Sequence, residues 1–238
     1  MKIAGLQKMT LIDYPGKIAT TIFTQGCNFR CPFCHNPELL SNSASISLIP
    51  EDDILEFLEK RKKYLDAVCL TGGEPLLQVD ILEFIKKIKD LGYLIKLDTN
   101  GSNPTLLKEL VEMNLLDYVA MDIKAPLDYL AYKKVSGLDN KDLFEDVKKS
   151  VKYLLSLEGE LDYEFRTTVV PGLVKLKDIE TIASQIKNAK RYSIQQFINS
   201  NELLDKRLSK MKPYQKENLE LACEKAKKYV KNICLKNI

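Results

Sequence analysis

Residues 27–35 read CNFRCPFCH and place three cysteines on one short loop with the spacing C-x3-C-x2-C. Three thiolates on one loop form a soft, sulfur-rich site that is suited to transition metals. Structural zinc usually takes four protein ligands, whereas a four-iron cluster held by three cysteines leaves one iron open to another ligand. The spacing therefore predicts an iron–sulfur cluster with an open coordination position.

Zinc is the alternative metal for the same stretch. Cys27, Cys31, Cys34 and His35 have the composition of a Cys3His zinc site. Cys34 and His35 are adjacent in the chain, however, which is awkward for two corners of one tetrahedron. The spacing therefore favours the cluster and leaves zinc as the weaker reading.

Length and composition describe an ordinary globular chain of 238 residues, long enough for one large α/β domain or two small ones. The net charge is +3, with basic and acidic residues interspersed, which argues against a nucleic-acid partner. The sequence shows neither an apolar run of transmembrane length nor a signal peptide. We therefore expect a cytoplasmic protein with no membrane partner, whose clustered cysteines serve metal or catalytic roles rather than disulfides. Cys69, Cys223 and Cys234 are scattered and are expected to be small buried hydrophobic residues.

Six short apolar segments alternate with amphipathic segments along the chain. The predicted strands are residues 18–24, 67–70, 93–97, 118–121, 163–170 and 193–197. This alternation predicts an α/β fold with a parallel sheet. Six units fall short of the eight of a TIM barrel and fit a partial (β/α)6 TIM-like barrel, with an open doubly wound sheet as the alternative. We expect a single domain over residues 1–238, with its core at about 16–200.

Local signals predict where several helices begin and end. Helices are expected from about Pro50, after a capping box formed by Asp80 and Glu83, and from Asn103-Pro104. Residues 39–47 and 125–140 are expected to be loops. A last helix is expected over about 213–235.

Polar residues and glycines follow the predicted strands at their carboxyl ends, which is where parallel sheets bind ligands. The cysteine loop follows the first strand, and the remaining candidates are Gly72, Gly73 and Glu74; Asp98, Thr99 and Asn100; Asp122, Ile123 and Lys124; Arg166; and Gln195 with Gln196. We therefore expect a ligand site at this edge of the sheet.

The cysteine spacing, with Phe33 before the third cysteine, resembles the signature of the radical S-adenosylmethionine (SAM) family. In that family the amino and carboxylate groups of SAM chelate the open iron. Glu74 then suits the methionine ammonium, and Lys124 and Arg166 suit the carboxylate. Arg166 could instead pair with Asp122 or Glu164.

Two further groups have open assignments. Asp98 suits either ribose hydroxyls or a cation, and the structural alternative is that it caps a helix or a turn. Phe33 and His35 are candidates to flank the adenine.

Further motifs resemble one branch of this family, the activating enzymes of glycyl-radical enzymes, above all those of anaerobic ribonucleoside-triphosphate reductase. The matching segments are LIDYPGK (11–17), FTQGCNFRCPFCHNPEL (23–39), TGGEPLLQ (71–78), LDTNG (97–101), MDIKAP (121–126), YKKVSGLDN (132–140), FRTTVVPGL (165–173) and IQQF (194–197). They extend over most of the chain.

The resemblance implies an anaerobic oxidoreductase with a [4Fe–4S] cluster on Cys27, Cys31 and Cys34. Flavodoxin or ferredoxin would reduce the cluster, SAM would be cleaved to a 5′-deoxyadenosyl radical, and this radical would take hydrogen from a glycine of a partner glycyl-radical enzyme. The implied cofactor-binding residues are Phe33, Cys34, His35, Gly72, Gly73, Glu74, Asp98, Asn100, Asp122, Ile123, Lys124 and Arg166. Asp98, Thr99 and Asp122 match a monovalent-cation site of the family.

The sequence departs from the family pattern in two places. Some activating enzymes carry a SAM-contacting histidine near the end of the sixth strand, where this chain reads Ile194-Gln195-Gln196-Phe197. No ferredoxin-like insertion with further cysteine clusters is present, so we expect one cluster. The rival functions are a radical SAM enzyme acting on a small molecule, of the 7-deazaguanine-synthase type, and a non-catalytic zinc-binding protein.

Overall fold

The computed structural model describes residues 1–40, 46–159, 161–200 and 202–238, so part of the predicted loop 39–47 lies outside the described residues. The strands are β1 (Ile3–Thr10), β2 (Ala19–Thr24), β3 (Ala67–Gly72), β4 (Leu94–Thr99), β5 (Tyr118–Asp122), β6 (Asp162–Val169), β7 (Tyr192–Gln196) and β8 (Ile233–Lys236). The α-helices are α1 (Glu51–Arg61), α2 (Ile81–Asp90), α3 (Pro104–Glu112), α4 (Tyr129–Ser136), α5 (Lys141–Ser156), α6 (Leu176–Gln185) and α7 (Lys216–Ala226).

The strands form one sheet in the order β1 to β8, with β1 and β8 at its two edges. β1 runs antiparallel to β2, whereas the pairs β2–β3, β3–β4, β6–β7 and β7–β8 are parallel. The sheet is therefore open and mostly parallel, and the predicted α/β class with a partial barrel is confirmed. The chain divides into two compact units, and the prediction of a single domain stays a prediction.

The first unit comprises Met1–Asn28, Glu38–Thr99 and Asn103–Val119. Its central strands β2 and β3 are almost entirely buried, because their side chains are apolar or short and β-branched. Helices α1 and α2 contribute fully buried side chains from one face, among them Leu58 and Ile85.

The second unit comprises Phe29–Pro37, Asn100–Ser102 and Ala120–Ile238. Phe165 and Tyr192 are fully buried on the paired strands β6 and β7. Glu164 is also buried, and its carboxylate accepts hydrogen bonds from Lys236 Nζ at 3.0 and 3.1 Å. A buried charge needs such a partner, so β8 contributes the cation that permits Glu164 inside this unit.

Both edge strands were missed by the sequence analysis. β1 pairs with β2 through an irregular register with shifts near Gly5 and between Gln7 and Thr10, which removes a clear two-residue alternation. β8 is only four residues long and half-buried throughout. Neither strand therefore carries the apolar pattern that identifies a buried strand.

The predicted last helix over about 213–235 is wrong in its second half. Helix α7 ends at Ala226. The carbonyl groups of Tyr229 and Asn232 instead accept hydrogen bonds from Asn188 N at 3.0 Å and Tyr192 N at 2.9 Å. The apolar spacing continues past Ala226, but the backbone leaves the helix to pair β8 with β7.

The predicted loop 125–140 is also wrong, because it contains helix α4. Asp128 caps this helix by accepting a hydrogen bond from Ala131 N at 3.0 Å, and Gly137 ends it with φ +66°. An N-cap aspartate and a glycine nine residues later are standard helix boundary signals, so the sequence did contain the information.

The predicted capping box of Asp80 with Glu83 does not form. Asp80 makes no side-chain cap bond to α2, and its carboxylate binds the N-terminal ammonium of Met1, which also binds Glu51. A charged partner from the chain terminus outcompetes the backbone amide. The predicted cap of α3 is confirmed, since Asn103 Oδ1 accepts a hydrogen bond from Leu106 N at 3.1 Å.

Among the described residues, no helix has the length and apolar character needed to cross a membrane.

Candidate active site

In the first unit, the loops after β2 and β3 contact each other backbone to backbone. Gly73 N donates to Thr24 O and Glu74 N donates to Gly26 O, each at 2.8 Å. A Cβ added to Gly73 would lie 2.0 Å from Gly26 O, and one added to Gly72, where φ is +114°, would lie 2.3 Å from Thr24 N. Both positions therefore require glycine for this contact, which aligns the loop before Cys27.

Glu74 is a buried carboxylate in the first unit, with an exposed fraction of 1%. Its Oε1 accepts hydrogen bonds from Thr99 Oγ1 at 2.6 Å and from Leu76 N at 3.1 Å. The carboxylate also caps the short 3-10 helix Pro75–Leu77. These contacts hold Glu74 in one orientation, as a ligand-binding carboxylate requires.

Asp98 lies at the end of β4 in the first unit and forms an ion pair with Lys96 Nζ. Lys96 is two residues earlier on the same strand, so the two side chains share one face of the sheet. The Lys96 side chain is 3% exposed, which is unusual for lysine. The sequence analysis named Asp98 and Thr99 but missed Lys96.

In the second unit, helix α4 positions the stretch that carries Cys31 and Cys34. Arg30 N donates to Ser136 O at 2.9 Å, and Cys31 Sγ lies 3.6 Å from the same carbonyl oxygen. A Cβ on Gly137 would lie 2.4 Å from Arg30 O. The end of α4 therefore packs directly on the backbone of the cysteine stretch.

A second segment of the same unit holds the other side of this stretch. Leu204 N donates to Cys34 O at 3.2 Å, and Asp205 N donates to Pro32 O at 2.8 Å. Between these anchors, Cys34 N donates to Cys31 O at 3.0 Å and closes a turn. Cys31 and Phe33 are buried, Cys34 is half-buried and His35 is exposed.

Asp122 is the centre of an ion-pair triad in the second unit. Its Oδ2 accepts a hydrogen bond from Lys124 Nζ and its Oδ1 accepts one from Arg166 Nε, each at 2.8 Å. Burial alone would raise the pKa of Asp122, but Arg166 and Lys124 outweigh it and lower the pKa to about 2. The triad carries one negative and two positive charges and so has a net charge of +1.

The sequence left two possible ion-pair partners for Arg166, Asp122 and Glu164, and the structure shows which of them it binds. Arg166 pairs with Asp122, whereas Glu164 binds Lys236 and Ser193. Lys124 Nζ also lies 5.8 Å from the centroid of the Phe33 ring, so it faces the cysteine stretch of its own unit. Burial opposes the Lys124 charge, but Asp122 and Cys31 raise the pKa of Lys124 above its ordinary value.

Tyr132 is a site residue that the sequence analysis missed. Its fully buried hydroxyl accepts a hydrogen bond from Lys124 N at 3.3 Å and donates to Asp122 O at 3.4 Å. Burial raises the pKa of Tyr132, with Lys124 opposing, so the hydroxyl stays protonated. Tyr132 belongs to α4, and that helix was expected to be loop.

Ile123 and Asn100 are also in the second unit and are held by backbone-directed bonds. Ile123 N donates to Arg166 O at 2.8 Å, and its carbonyl oxygen accepts from Thr167 Oγ1 at 2.7 Å. Asn100 Oδ1 accepts from Ser102 N at 2.9 Å. Both residues therefore shape the strand ends in which they lie.

The side chains of the two glutamines at the end of β7, Gln195 and Gln196, point in different directions and have different hydrogen-bond partners. Gln195 Oε1 accepts a hydrogen bond from Thr168 Oγ1 at 3.4 Å, and the β6–β7 register places Gln195 on the sheet face of Arg166. Gln196 Nε2 donates to Tyr214 O at 2.6 Å, and its buried Oε1 has no partner among the described residues. Gln195 therefore shares the face of the sheet that carries Arg166, whereas Gln196 is directed toward Tyr214.

All six cysteines lie in the described residues and are present as thiols. Cys69 and Cys223 are buried, and burial raises the pKa of Cys223 to about 11, so it is an inert thiol. Within the described ranges, no three His, Cys, Asp or Glu side chains form a ready site for a metal ion.

The sequence pattern of the Radical SAM superfamily matches residues 21–186 of this chain. A protein of Methanocaldococcus jannaschii, provisionally named a glycyl-radical enzyme activating enzyme, is 34% identical over 241 residues, covering 99% of this chain and 96% of that protein. The pyruvate formate-lyase-activating enzyme of Clostridium pasteurianum is 31% identical over 225 residues, covering 92% of this chain and 87% of that enzyme.

Solved structures share the fold at low sequence identity. Streptococcus suis SuiB bound to S-adenosylmethionine has a TM-score of 0.67 at 17% identity, and the match covers 90% of this chain and 48% of that one. QueE from Escherichia coli has a TM-score of 0.57 at 14% identity, covering 100% of this chain and 94% of that one. These likenesses concern the fold alone.

The contact between Gly137 and Arg30 predicts the effect of a single added methyl group. We expect Gly137→Ala to lower the free energy of unfolding by about 1–3 kcal/mol and to lower the iron bound after anaerobic reconstitution, because φ is positive and the Cβ meets backbone. Gly159→Ala is the control, since nothing lies within 4 Å of its Cβ. Urea unfolding and iron analysis make the measurement; wild-type values for Gly137→Ala would contradict the role given to α4.

The triad predicts a shift in the titration of Asp122. Its folded pKa of about 2 lies below the ordinary value of 3.8, so its stabilising contribution, on the order of 2 kcal/mol, is complete above pH 3.8 and is lost as pH falls through about 2. Arg166→Met removes one cation, and we expect the pKa of Asp122 to rise from about 2 toward its ordinary value. The difference between the folded and unfolded pKa values of Asp122 then becomes smaller, so its ionisation contributes less to the free energy of unfolding at neutral pH.

Carboxyl carbon NMR of aspartate-labelled protein measures this pKa. Arg207→Met is the matched control, because Arg207 pairs with an aspartate but its side chain is 92% exposed. An Asp122 pKa that is the same in Arg166→Met and in wild type would refute the electrostatic account of the triad.

Proposed function

The chain belongs to the radical SAM superfamily, and we propose that it is an activating enzyme that installs a radical on a glycyl-radical enzyme. The observation that carries this proposal is the likeness over almost the full length of both chains to a protein provisionally named as such an activating enzyme. The second relative, a pyruvate formate-lyase-activating enzyme, supports the same reaction class.

The [4Fe–4S] cluster and SAM that the sequence predicted are the cofactors of this superfamily. Family membership therefore favours the cluster over the zinc alternative. When bound, these cofactors supply a 5′-deoxyadenosyl radical, which takes a hydrogen atom from a glycine Cα of the partner protein.

We assign the cluster to Cys27, Cys31 and Cys34 from their match to the family motif. The residues of this chain suit the assignment, because each is present as a thiol and thiolates are the usual ligands of such clusters. The stretch around Cys31 and Cys34 is anchored on both sides by backbone hydrogen bonds within its unit. Such anchoring keeps ligand positions fixed while a cofactor is bound and used.

The charges of the site residues suit the two ends of the SAM amino acid. Glu74 is a buried carboxylate and is proposed to accept hydrogen bonds from the amino group. The Asp122 triad, which has a net charge of +1, is proposed to attract the carboxylate through Lys124 and Arg166. Phe33, Cys34 and His35 are assigned to the adenine by motif position alone.

Gly72, Gly73, Asn100 and Ile123 are proposed to act through their backbone. The two glycines have no side chain. The side chain of Asn100 accepts a hydrogen bond from Ser102 N, and that of Ile123 is buried in the core. Gln195 is proposed to take the place of the histidine that some activating enzymes carry.

The partner that we propose is anaerobic ribonucleoside-triphosphate reductase, because the motifs of this chain resemble those of its activating enzymes most. Flavodoxin or ferredoxin is the proposed electron donor. A reducing, cytoplasmic setting suits a chain whose six cysteines are all thiols. A small-molecule radical SAM reaction of the 7-deazaguanine type remains the alternative, and the likeness to QueE concerns the fold alone.

The cluster assignment predicts the behaviour of two cysteine variants. We expect Cys34→Ala to bind little iron after anaerobic reconstitution and to form no 5′-deoxyadenosine from SAM under dithionite. Cys223→Ala is the control, because its buried thiol lies on α7 and is assigned no cofactor role. Undiminished 5′-deoxyadenosine production by Cys34→Ala would disprove the assignment.

The partner is tested by mixing the reduced protein and SAM with candidate glycyl-radical enzymes. We expect an organic radical, seen by electron paramagnetic resonance, on anaerobic ribonucleoside-triphosphate reductase and none on its variant with the radical glycine changed to alanine. Pyruvate formate-lyase is the comparison protein. A signal on the lyase alone would move the proposal to that partner, and SAM cleavage with no protein radical on either would favour the small-molecule alternative.

A further inference from the structure

Two of the three residues matched to a monovalent-cation site lie in the first unit, and both already have partners there. Asp98 forms an ion pair with the ammonium of Lys96. The Thr99 hydroxyl donates its hydrogen to Glu74 at 2.6 Å. A metal cation needs oxygen ligands whose lone pairs face it, and a carboxylate that is neutralised by lysine is a poor ligand.

The third matched residue, Asp122, is engaged in the second unit. Both of its carboxylate oxygens accept hydrogen bonds from cations, one from Lys124 and one from Arg166. In both carboxylates of the expected site, the negative charge that would attract K⁺ or Na⁺ is already compensated by a cation of the chain. The residues present do not fit the metal ion that the resemblance implies.

Lys96 is held in place by its surroundings in the first unit. Its side chain is 3% exposed, and its Nζ lies 5.9 Å from the centroid of the Tyr118 ring. Tyr118 in turn packs against Tyr14, with ring centroids 5.7 Å apart. A strand position and two packed aromatic rings give the ammonium one position beside Asp98.

We propose that the Lys96 ammonium is a built-in replacement for the monovalent cation, so that this protein binds SAM without K⁺ or Na⁺. An ammonium has the same unit charge as either ion and reaches the same carboxylate. A metal ion added beside Asp98 would meet the like charge of Lys96 at close range in a buried setting. The inference rests on the proposed function and on the place near SAM that the family resemblance implies for Asp98, and it concerns cofactor binding rather than the choice of protein partner.

The first experiment measures SAM affinity of the reconstituted wild-type protein by anaerobic equilibrium dialysis. The buffers contain KCl, NaCl or tetramethylammonium chloride at equal ionic strength, because tetramethylammonium is too large to enter a metal-ion site. We expect dissociation constants that agree within twofold. A tenfold tightening by K⁺ or Na⁺ would overturn the inference, whereas failure to bind SAM in every salt would overturn the proposed function as well.

The second experiment removes the ammonium and keeps the length of the side chain. In Lys96→Met we expect SAM binding in tetramethylammonium to weaken at least tenfold and to recover in KCl or NaCl. Lys89→Met is the matched control, since Lys89 pairs with Asp117 at 2.9 Å in the same unit and is assigned no SAM contact. Wild-type affinity of Lys96→Met in tetramethylammonium would overturn the inference.

Thallium(I), a heavy substitute for K⁺, gives a readout that is independent of SAM. We expect no anomalous scattering peak beside Asp98 in thallium-soaked crystals of the wild-type protein, and a peak there in Lys96→Met. A wild-type peak would refute the replacement. If Lys96→Met does not fold, the wild-type crystal and the wild-type salt series decide the question.

Discussion

Charged groups that are removed from water must be paired, and this constraint governs the polar residues of both units. Asp122 lies between Lys124 and Arg166, Asp98 binds Lys96, and Glu164 binds Lys236. Removing one partner of such a buried pair typically costs about 3–5 kcal/mol, because the other charge is left uncompensated. Each pair therefore restricts which residues its neighbours can be, and each sets the local charge that a ligand meets.

Backbone contacts determine where the cysteines lie, and they depend on glycine at few positions. Gly73 allows the loop after β3 to contact Gly26, just before Cys27. Gly137 allows the end of α4 to contact Arg30, just before Cys31. In each unit, main-chain contacts therefore anchor the segment that carries the cysteines. Main-chain contacts change little with sequence elsewhere, which suits ligands of a metal cluster.

The sequence was sufficient for the parts of the fold that carry strong periodicity. Strands β2 to β7 follow apolar runs, and α3 follows its Asn103 cap. It was not sufficient for β1 and β8, because an edge strand has one partner and a weaker apolar pattern. Helix α4 was missed although its boundary residues were present, since a run of 16 residues rich in turn formers looked like loop.

The candidate site, like the fold, could be predicted from the sequence only in part. Motif positions indicate which residues are present, and they gave Glu74, Asp122 and Lys124 directly. They do not show which groups pair, because pairing depends on strand register and on side-chain direction. The motifs did not include Lys96, and they contained Tyr132 (in segment 132–140) without giving it a role; each of the two contacts a neighbour that the motifs had named.

Pairing also determines what charge is available to SAM. SAM presents an amino group, which donates hydrogen bonds to an acceptor, and a carboxylate, which a cation complements. Glu74 in the first unit is a buried carboxylate whose Oε1 accepts hydrogen bonds from Thr99 Oγ1 and Leu76 N, and these contacts fix its orientation. The triad in the second unit has one more cation than anions, so it adds a net charge of +1 to its surroundings. The Lys96–Asp98 pair is neutral, and a tethered ammonium needs no ion from solution. A cation that is part of the chain loses no translational freedom when the cofactor binds, which is the physical advantage of a lysine over a bound metal ion at this position.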